Sequence, residues 1–362
     1  MIRRPTRNFK VGTVPVGSVH PVTVQSMCNT PTADAAATLE QIRSLASLGC
    51  EIIRVSVDNP ADVGGLREIC SNSPIPVVAD IQFAAEMAVA AMDAGCHAVR
   101  LNPGIVRNME TLEPVAAKAL QRNVPVRVGA NAGSLPRYEI EKRIAAGMNH
   151  DDAVAEALCS AALTQCDALE KCGVRNIKVA LKCSSVPVTL KACRKFAGMT
   201  DYPMHLGLTE AGTPARGVVK SAAVLGALLL DGIGDTIRIS LTGKPEDEVL
   251  AAQRILESCG VREAAPEIVS CPTCGRTEID LIALAEHVEK VVCELKAAGR
   301  KIPHRKIAVM GCPVNGPGEA RDADLGIAGT RTGQLIIFRG GQVVLSCGYE
   351  EGLARFTEML LG

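Results

Sequence analysis

A (β/α)8 barrel followed by a small α+β domain is the architecture this sequence predicts, and three features carry the prediction. Short β-branched runs alternate with Ala/Leu/Glu-rich runs through residues 1–262. Single charges recur at or inside those apolar runs. The rhythm then changes, and residues 263–362 place cysteines in Gly/Pro turns among shorter elements.

Taken in order, the strand candidates are Val22–Met27, Ile52–Val57, Pro76–Ile81, Ala98–Leu101, Val126–Ala130, Ile177–Leu181, Met204–Leu208 and Thr236–Leu241. Between them fall amphipathic runs such as Ala33–Leu48, Glu86–Ala94, Glu110–Arg122, Asp152–Cys172 and Gly217–Leu230. Strand–helix alternation at this spacing implies parallel strands with right-handed crossovers. Eight such units in about 250 residues is the size of a closed barrel. An open doubly wound sheet finds no support, because no strand runs into a G-x-G-x-x-G turn.

The charges in the strands are Arg54, Asp80, Arg100, Arg127, Lys182, Glu210 and Arg238. A lone charge in a buried strand is unfavourable. Seven of them read as a convergent site, since residues near strand C-termini point into one mouth of a barrel. The bland alternative is a set of internal ion pairs, with Asp80 and Glu210 each neutralising a cation. Four arginines and a lysine against two carboxylates leave the mouth cationic. Guanidinium forks suit phosphate oxygens, so the expected ligand is a small polyanion such as a diphosphate. Asn131 and Ser240 would add neutral donors. His205 stands at a strand start and reads as a packed core histidine.

In the second domain, Ile268–Ser270 reads as a strand entering Cys271-Pro-Thr-Cys274-Gly-Arg. Ile279–Ala298 reads as a helix, and Ile307–Met310 as a strand entering Gly311-Cys312-Pro-Val-Asn315-Gly-Pro-Gly-Glu319, a loop. Leu335–Phe338 and Val343–Ser346 form a hairpin over Arg339-Gly-Gly, and Tyr349–Leu361 a closing helix. The linker is expected near Gly260–Pro266. Thiolates on stiff, exposed turns suit a soft metal. Three leave a four-coordinate shell one ligand short. An iron–sulfur cluster would take Cys271, Cys274 and Cys312, with Glu319 as the nearby carboxylate. Zinc with Cys293 or Cys347 as fourth ligand remains an alternative, as do ordinary buried thiols.

Composition narrows the classes. With no Trp, three Tyr and five Phe, the core must be built from Ala, Val, Leu and Ile. A formal net charge of zero argues against a nucleic-acid stripe or an anionic-membrane surface. Fifteen cysteines, odd in number and scattered, fit a reducing cytoplasm better than a disulfide framework. The N-terminus shows no apolar signal core, and the longest apolar run, Ala222 to Leu230, is too short to span a bilayer.

Several motifs together carry a resemblance. They are Val24-Gln-Ser-Met27, Ala79-Asp-Ile81, Asn102-Pro-Gly104, Asn131-Ala-Gly-Ser134, Leu206-Gly-Leu-Thr-Glu210-Ala-Gly212 and the two cysteine stretches. Over essentially its whole length the chain resembles the 4-hydroxy-3-methylbut-2-en-1-yl diphosphate synthases of the non-mevalonate isoprenoid pathway, in their short bacterial two-domain form. The resemblance implies a second domain similar to a sulfite-reductase module, carrying one [4Fe–4S] cluster on Cys271, Cys274, Cys312 and Glu319. It implies reductive ring opening of 2-C-methyl-D-erythritol 2,4-cyclodiphosphate with loss of water, on electrons from flavodoxin or ferredoxin. Substrate contacts carry over onto Arg54, Asp80, Gln82, Arg100, Arg127, Asn131, Lys182, Arg238 and Ser240. Glu210 matches the family's barrel acid and Asn315 its cluster-side polar residue. Two chains are expected to pair head to tail. One departure stands out: where the family usually has Asp-Ile-His-Phe, this chain has Asp80-Ile-Gln82-Phe83.

Overall fold

The computed structural model describes residues 2–102, 109–262 and 266–362, without the side chains of Ala297, Asn315, Pro317 and Glu319. The chain divides into two compact units, 1–262 and 263–362. The expected linker Gly260–Pro266 and the stretch Asn102-Pro-Gly104 lie partly outside the described residues.

The first unit opens with a hairpin, β1 (Phe9–Val11) and β2 (Val14–Val16). Eight parallel strands follow: β3 (Thr23–Met27), β4 (Ile52–Ser56), β5 (Val77–Ile81), β6 (Ala98–Leu101), β7 (Val126–Asn131), β8 (Ile177–Lys182), β9 (His205–Leu206) and β10 (Thr236–Ile237). Each pairs with its sequence neighbour except β8 and β9, and β10 also pairs with β3. A bridge between Val179 and Met204, with Val179 N–H donating to Pro203 O at 2.9 Å, links β8 to the β9 side and closes the ring. Eight strands were expected and all appear, but the last two are much shorter than their apolar runs. Gly207 ends β9: its φ is +153°, and a Cβ there would stand 2.2 Å from Arg238 O. Only glycine lets the two chains approach so closely.

The helices alternate with the strands: α1 (Ala35–Ser47), α2 (Pro60–Asn72), α3 (Ala85–Asp93), α4 (Met109–Arg122), α5 (Arg137–Ala145), α6 (His150–Lys171), α7 (Val186–Met199), α8 (Pro214–Leu230) and α9 (Pro245–Ser258). Their starts follow from capping chemistry. Asp34, Asn59, Asn149 and Ser185 each accept a backbone N–H from the first turn, and Pro60 and Pro214 sit where a missing donor costs nothing.

Strand alternation sorts the barrel into two environments. Val24, Ile53, Val55, Ala79, Val99, Val128 and Leu181 pack outward with the helices in one apolar layer. The intervening residues face the lumen. At its lower end Ile52, Val78 and Ala98 pack against Phe9, Val11 and Val16, so the hairpin plugs the barrel floor.

The second unit is a mixed five-stranded sheet ordered β11 (Glu267–Ser270), β12 (Lys306–Met310), β13 (Leu325–Gly329), β14 (Leu335–Arg339), β15 (Gln342–Cys347). The first three strands are parallel and the rest antiparallel. Helices α10 (Leu281–Ala297) and α11 (Tyr349–Met359) cover one face, burying Leu284, Val288, Val292 and Phe356 on Val309, Ile327 and Ile337. The stretch after Cys312 was expected to be a loop. It takes one helical turn over Val314–Glu319 instead, with Gly316 N–H donating to Cys312 O at 3.1 Å.

Candidate functional site

The lumen of the barrel is charged above its apolar floor. Arg54, Asp80, Arg100, Arg127 and Lys182 are all buried and all come from inward positions of β4 to β8. Arg238 and Ser240 follow β10 and are half-buried, as are Gln82 beyond β5 and Asn131 at the end of β7. The strands therefore bring together nine of the sequence-predicted barrel residues. Gly129 makes room for this: a Cβ there would lie 3.3 Å from Arg100 Nε.

Asp80 is the hub. Its Oδ1 accepts from Arg100 Nη1 at 3.0 Å, its Oδ2 lies 3.6 Å from Arg54 Nε, and Gln82 Nε2 donates to Oδ2 at 3.0 Å. Asn102 Nδ2 in turn donates to Gln82 Oε1 at 3.1 Å. Arg54 also lies over the Met27 thioether, with Nη2 at 2.9 Å from Sδ. Burial disfavours the Asp80 carboxylate, but Arg54, Arg100 and Arg127 outweigh it and hold its pKa below the usual value.

Two expectations need correcting. The sequence counts Glu210 as a second acid of the mouth. It is exposed and makes no hydrogen bond or ion pair among the described residues. That acid is Glu248 of α9, which accepts from Leu241 N–H at 2.8 Å and stands 4.0 Å from Arg238 Nη2. An acid in a first helical turn reads in sequence as a solvated cap, which hid it. Glu210 is nonetheless singular: with Asn123 it is one of two described non-glycine residues in the left-handed region, at φ +55°. Strain of that kind collects at functional sites.

Lys178 was missed altogether. It faces the lumen two residues below Ala180 and four below Lys182 on the same face of β8, and its Nζ donates to Thr236 Oγ1 at 3.2 Å. The period-two spacing of Lys178 and Lys182 was the available signal. His205 was expected in a packed core. It is buried in the lumen, with both ring nitrogens lacking a protein partner.

Six cations thus share the lumen with two carboxylates. Burial, then Asp80 and neighbouring guanidiniums, leave Arg54 at about 9, and burial drops Lys178 to about 7. Burial followed by mutual repulsion pushes Arg127 and Lys182 well below their ordinary values. Burial is the largest cause of all four shifts, neighbouring cations add to it at Arg127 and Lys182, and a bound anion would favour the charged forms.

In the second unit, Ser270 stands opposite Val309 on neighbouring parallel strands, so Cys271 and Cys312 leave the sheet at the same end. Gly311 N–H donates to Cys271 Sγ at 3.2 Å and Glu278 N–H to Gly311 O at 3.1 Å, which ties the two cysteine stretches together. Arg276 N–H, donating to Cys274 Sγ at 3.4 Å, holds that exposed thiol below its ordinary pKa. Among the described residues no three His, Cys, Asp or Glu side chains form a ready ligand set. The side chains of Glu319 and Asn315 lie outside the described residues. Cys347 ends β15, three strands from β12 or about 14 Å across the sheet, and Cys293 is an exposed residue of α10. Neither is placed to complete a zinc shell with Cys312.

Residues 6–253 match the GcpE TIM-barrel domain, and residues 267–361 match the GcpE protein C-terminal domain. The chain belongs to the GcpE family. Among its relatives is a protein of Geobacter sulfurreducens named 4-hydroxy-3-methylbut-2-en-1-yl diphosphate synthase (flavodoxin). It is 48% identical over 343 residues, covering 95% of this chain and 93% of the relative. A Salinispora tropica protein of the same name is 48% identical over 344 residues, covering 94% and 84%. Among solved structures, the N-acetylneuraminic acid synthetase of Leptospira borgpetersenii aligns with a TM-score of 0.51 at 12% identity, covering 79% of this chain and 97% of that one. That likeness concerns the fold alone. Within the GcpE chain, the five cations singled out from sequence all face one lumen, and the six-cation set appears only when Lys178 is added.

Proposed function

We propose that this chain is a 4-hydroxy-3-methylbut-2-en-1-yl diphosphate synthase that opens 2-C-methyl-D-erythritol 2,4-cyclodiphosphate reductively. The observation that carries the reading is the lumen: six inward cations, two acids, and guanidinium N–H groups of Arg100, Arg127 and Arg238 with no protein partner. Family membership and the names of the relatives support it. Such a site suits a compact ligand with two linked phosphoryl groups.

The reaction breaks the bond between carbon 2 and its phosphate oxygen and expels the carbon 3 hydroxyl as water, taking up one proton. Two electrons close the new double bond. The freed phosphate oxygen gains negative charge, and Arg54, Arg100, Arg127, Lys182 and Arg238 are preorganised to stabilise it. Asp80 fixes Arg54 and Arg100 in place, and Gln82 fixes Asp80. Asn131 and Ser240 supply neutral donors at the rim. Glu210 is the candidate donor of the proton that leaves in water.

Cys271, Cys274 and Cys312 would hold a [4Fe–4S] cluster with Glu319. The donor set fits, because the first and third cysteines leave adjacent strand ends and the stretches are joined through Gly311. When bound, such a cluster supplies electrons singly. Asn315 belongs on its polar side by resemblance. Flavodoxin is the favoured donor, as in the relatives' names, with ferredoxin as the other candidate. A head-to-tail homodimer in the cytoplasm completes the reading, and no described helix is long and apolar enough to cross a membrane.

An anion-binding transferase with a structural zinc is the rival. The positions of Cys293 and Cys347 weigh against it. Protein purified without oxygen should carry about four irons and four sulfides per chain and turn over the cyclodiphosphate with reduced flavodoxin. One zinc, no sulfide and no turnover would sink the proposal.

A further inference from the structure

Of the six lumen cations, Lys178 is the one to which the proposed reaction gives no role. Its place in the sheet is specific. In register, Asp80 stands beside Arg100, Arg100 beside Arg127, and Arg127 beside Lys178. One carboxylate thus opens an inward row that continues with three cations across β5 to β8. Asp80 engages the near end, Arg100 at 3.0 Å, together with Arg54 at 3.6 Å. The far end has no such acid. Arg127 leaves Nε and Nη1 without a protein partner, and like charges side by side on neighbouring strands repel.

The other groups around Lys178 do not supply the missing charge. The lysine is 4% exposed and forms no ion pair among the described residues. Its hydrogen bond is to a neutral hydroxyl, Thr236 Oγ1, which also accepts from Thr23 Oγ1 at 2.9 Å. Asp235, the acid that acts on it, is already engaged by Arg3 Nη2 at 2.7 Å, Thr6 Oγ1 at 3.0 Å and Met204 N–H at 2.8 Å. Lys182 stands above it on β8 and is a further cation. His205 of β9 and Gln25 of β3 are buried with their side-chain nitrogens and oxygens unpaired. The amide carries no charge, and burial followed by Arg127, Lys182 and Lys178 keeps the imidazole neutral. A buried ammonium without a counter-ion is disfavoured. Burial, then Arg127, outweigh Asp235 and leave Lys178 at about 7.

We propose that Lys178 is a positioning residue of the diphosphate site, which takes up a proton from solvent as the anion binds and holds it through the row shared with Arg127. The inference rests on the reaction assigned above. It accounts for a lysine at the end of the row. An arginine would stay charged in the empty barrel and repel Arg127 permanently, whereas a lysine sheds its proton until the anion arrives. The ligand itself brings no such proton, because each phosphorus of the cyclic diphosphate carries a single, strongly acidic oxygen. Below about pH 7 the lysine is protonated in both states and no proton moves. Above that, up to its higher value in the complex, affinity falls by up to about tenfold per pH unit.

Calorimetric titration of the full chain with the cyclodiphosphate, at pH 8 in two buffers of different ionisation enthalpy, counts the protons. Wild type should take up about one more proton per ligand than Lys178→Met does, and the subtraction removes whatever Lys182 contributes. Lys178→Met should bind on the order of tenfold more weakly at pH 7, and the two affinities should converge as the pH rises. A lysine that served packing alone would give a difference independent of pH. Equal proton counts in the two proteins, or a wild-type affinity that stays constant between pH 7 and pH 9, would overturn the role of Lys178 and leave the reaction standing. Wild-type protein that does not bind the cyclodiphosphate would overturn the assigned reaction, and this inference with it.

Discussion

Arg54, Arg100 and Arg127 are held by strands on every side, whereas Cys271, Cys274 and Cys312 sit on turns beyond the ends of two strands. The arginines are buried to a similar degree. The cysteines range from buried Cys312 to exposed Cys274. The barrel fixes its charges by packing, before any ligand arrives. The second unit fixes backbone more than side chain, through Gly311 N–H on Cys271 Sγ and Thr277 Oγ1 accepting from Cys274 N–H at 3.0 Å. Preorganisation of the first kind is costly to the empty protein and favours an anion. Arrangement of the second kind leaves thiols free to be drawn in by what they bind.

The sharpest test separates the two regions by substitution. Cys312→Ser should abolish bound iron and sulfide and lower turnover by more than about a thousandfold, while methylenediphosphonate affinity stays within about twofold. Arg127→Met should do the reverse. Iron content should hold and diphosphonate affinity should fall on the order of a hundredfold, the cost of truncating one member of a buried charged site. Iron analysis and calorimetry on both variants read the outcome. A single substitution that removed both properties would break the division.

A smaller effect tests whether the barrel stores electrostatic strain. Lys178 has a folded pKa near 7 against an ordinary value of 10.5. Between those values the unfolded chain holds a proton that the folded chain lacks, so stability rises with pH. Below about 7 both forms are protonated and the full penalty remains. Over the window the slope from this one group approaches about 1.4 kcal/mol per pH unit. Lys178→Met should flatten the stability profile between pH 7 and pH 10 by about that amount and stabilise the barrel at neutral pH. Denaturant melts at several pH values measure it. An unchanged slope would mean that the lysine is solvated in the empty lumen.

What the sequence made legible follows the same contrast. Charges such as Arg54 in Ile-Ile-Arg-Val stand out because apolar strands have no other reason to contain them. The barrel order and the mouth could be read from that conflict. Gln25 escaped because an uncharged amide in a strand raises no alarm, and His205 because a strand-start histidine usually packs. Glu248 looked like an ordinary helix cap. The plug hairpin turns over Gly12-Thr13, with Gly12 at φ +57°, a weak signal between two very short strands. In the second unit β13 went unread, since Leu-Gly-Ile-Ala-Gly has poor strand propensity. It forms because β12 and β14 flank it and Leu325 and Ile327 complete the core. Tertiary context decided each of these, and periodicity could not report it.

The smallest expected effect concerns Gln82, where the resemblance leads one to expect a histidine. Gln82 passes a hydrogen bond from Asn102 on to Asp80, accepting at Oε1 and donating from Nε2. Both bonds need a side chain that donates and accepts at once. A neutral imidazole meets that requirement, and a protonated one does not, because it keeps the donor to Asp80 but loses the acceptor for Asn102. Gln82→His should therefore leave turnover within about fivefold of wild type near pH 8. It should add a pH transition absent from the wild type as the ring protonates, around an ordinary histidine value of about 6.5 and higher if Asp80 stabilises the cation. The pH profiles of kcat/KM for the two proteins measure this. Superimposable profiles would show that the Asn102–Gln82–Asp80 relay contributes nothing that depends on its acceptor, and Asp80 would then be positioned by Arg54 and Arg100 alone.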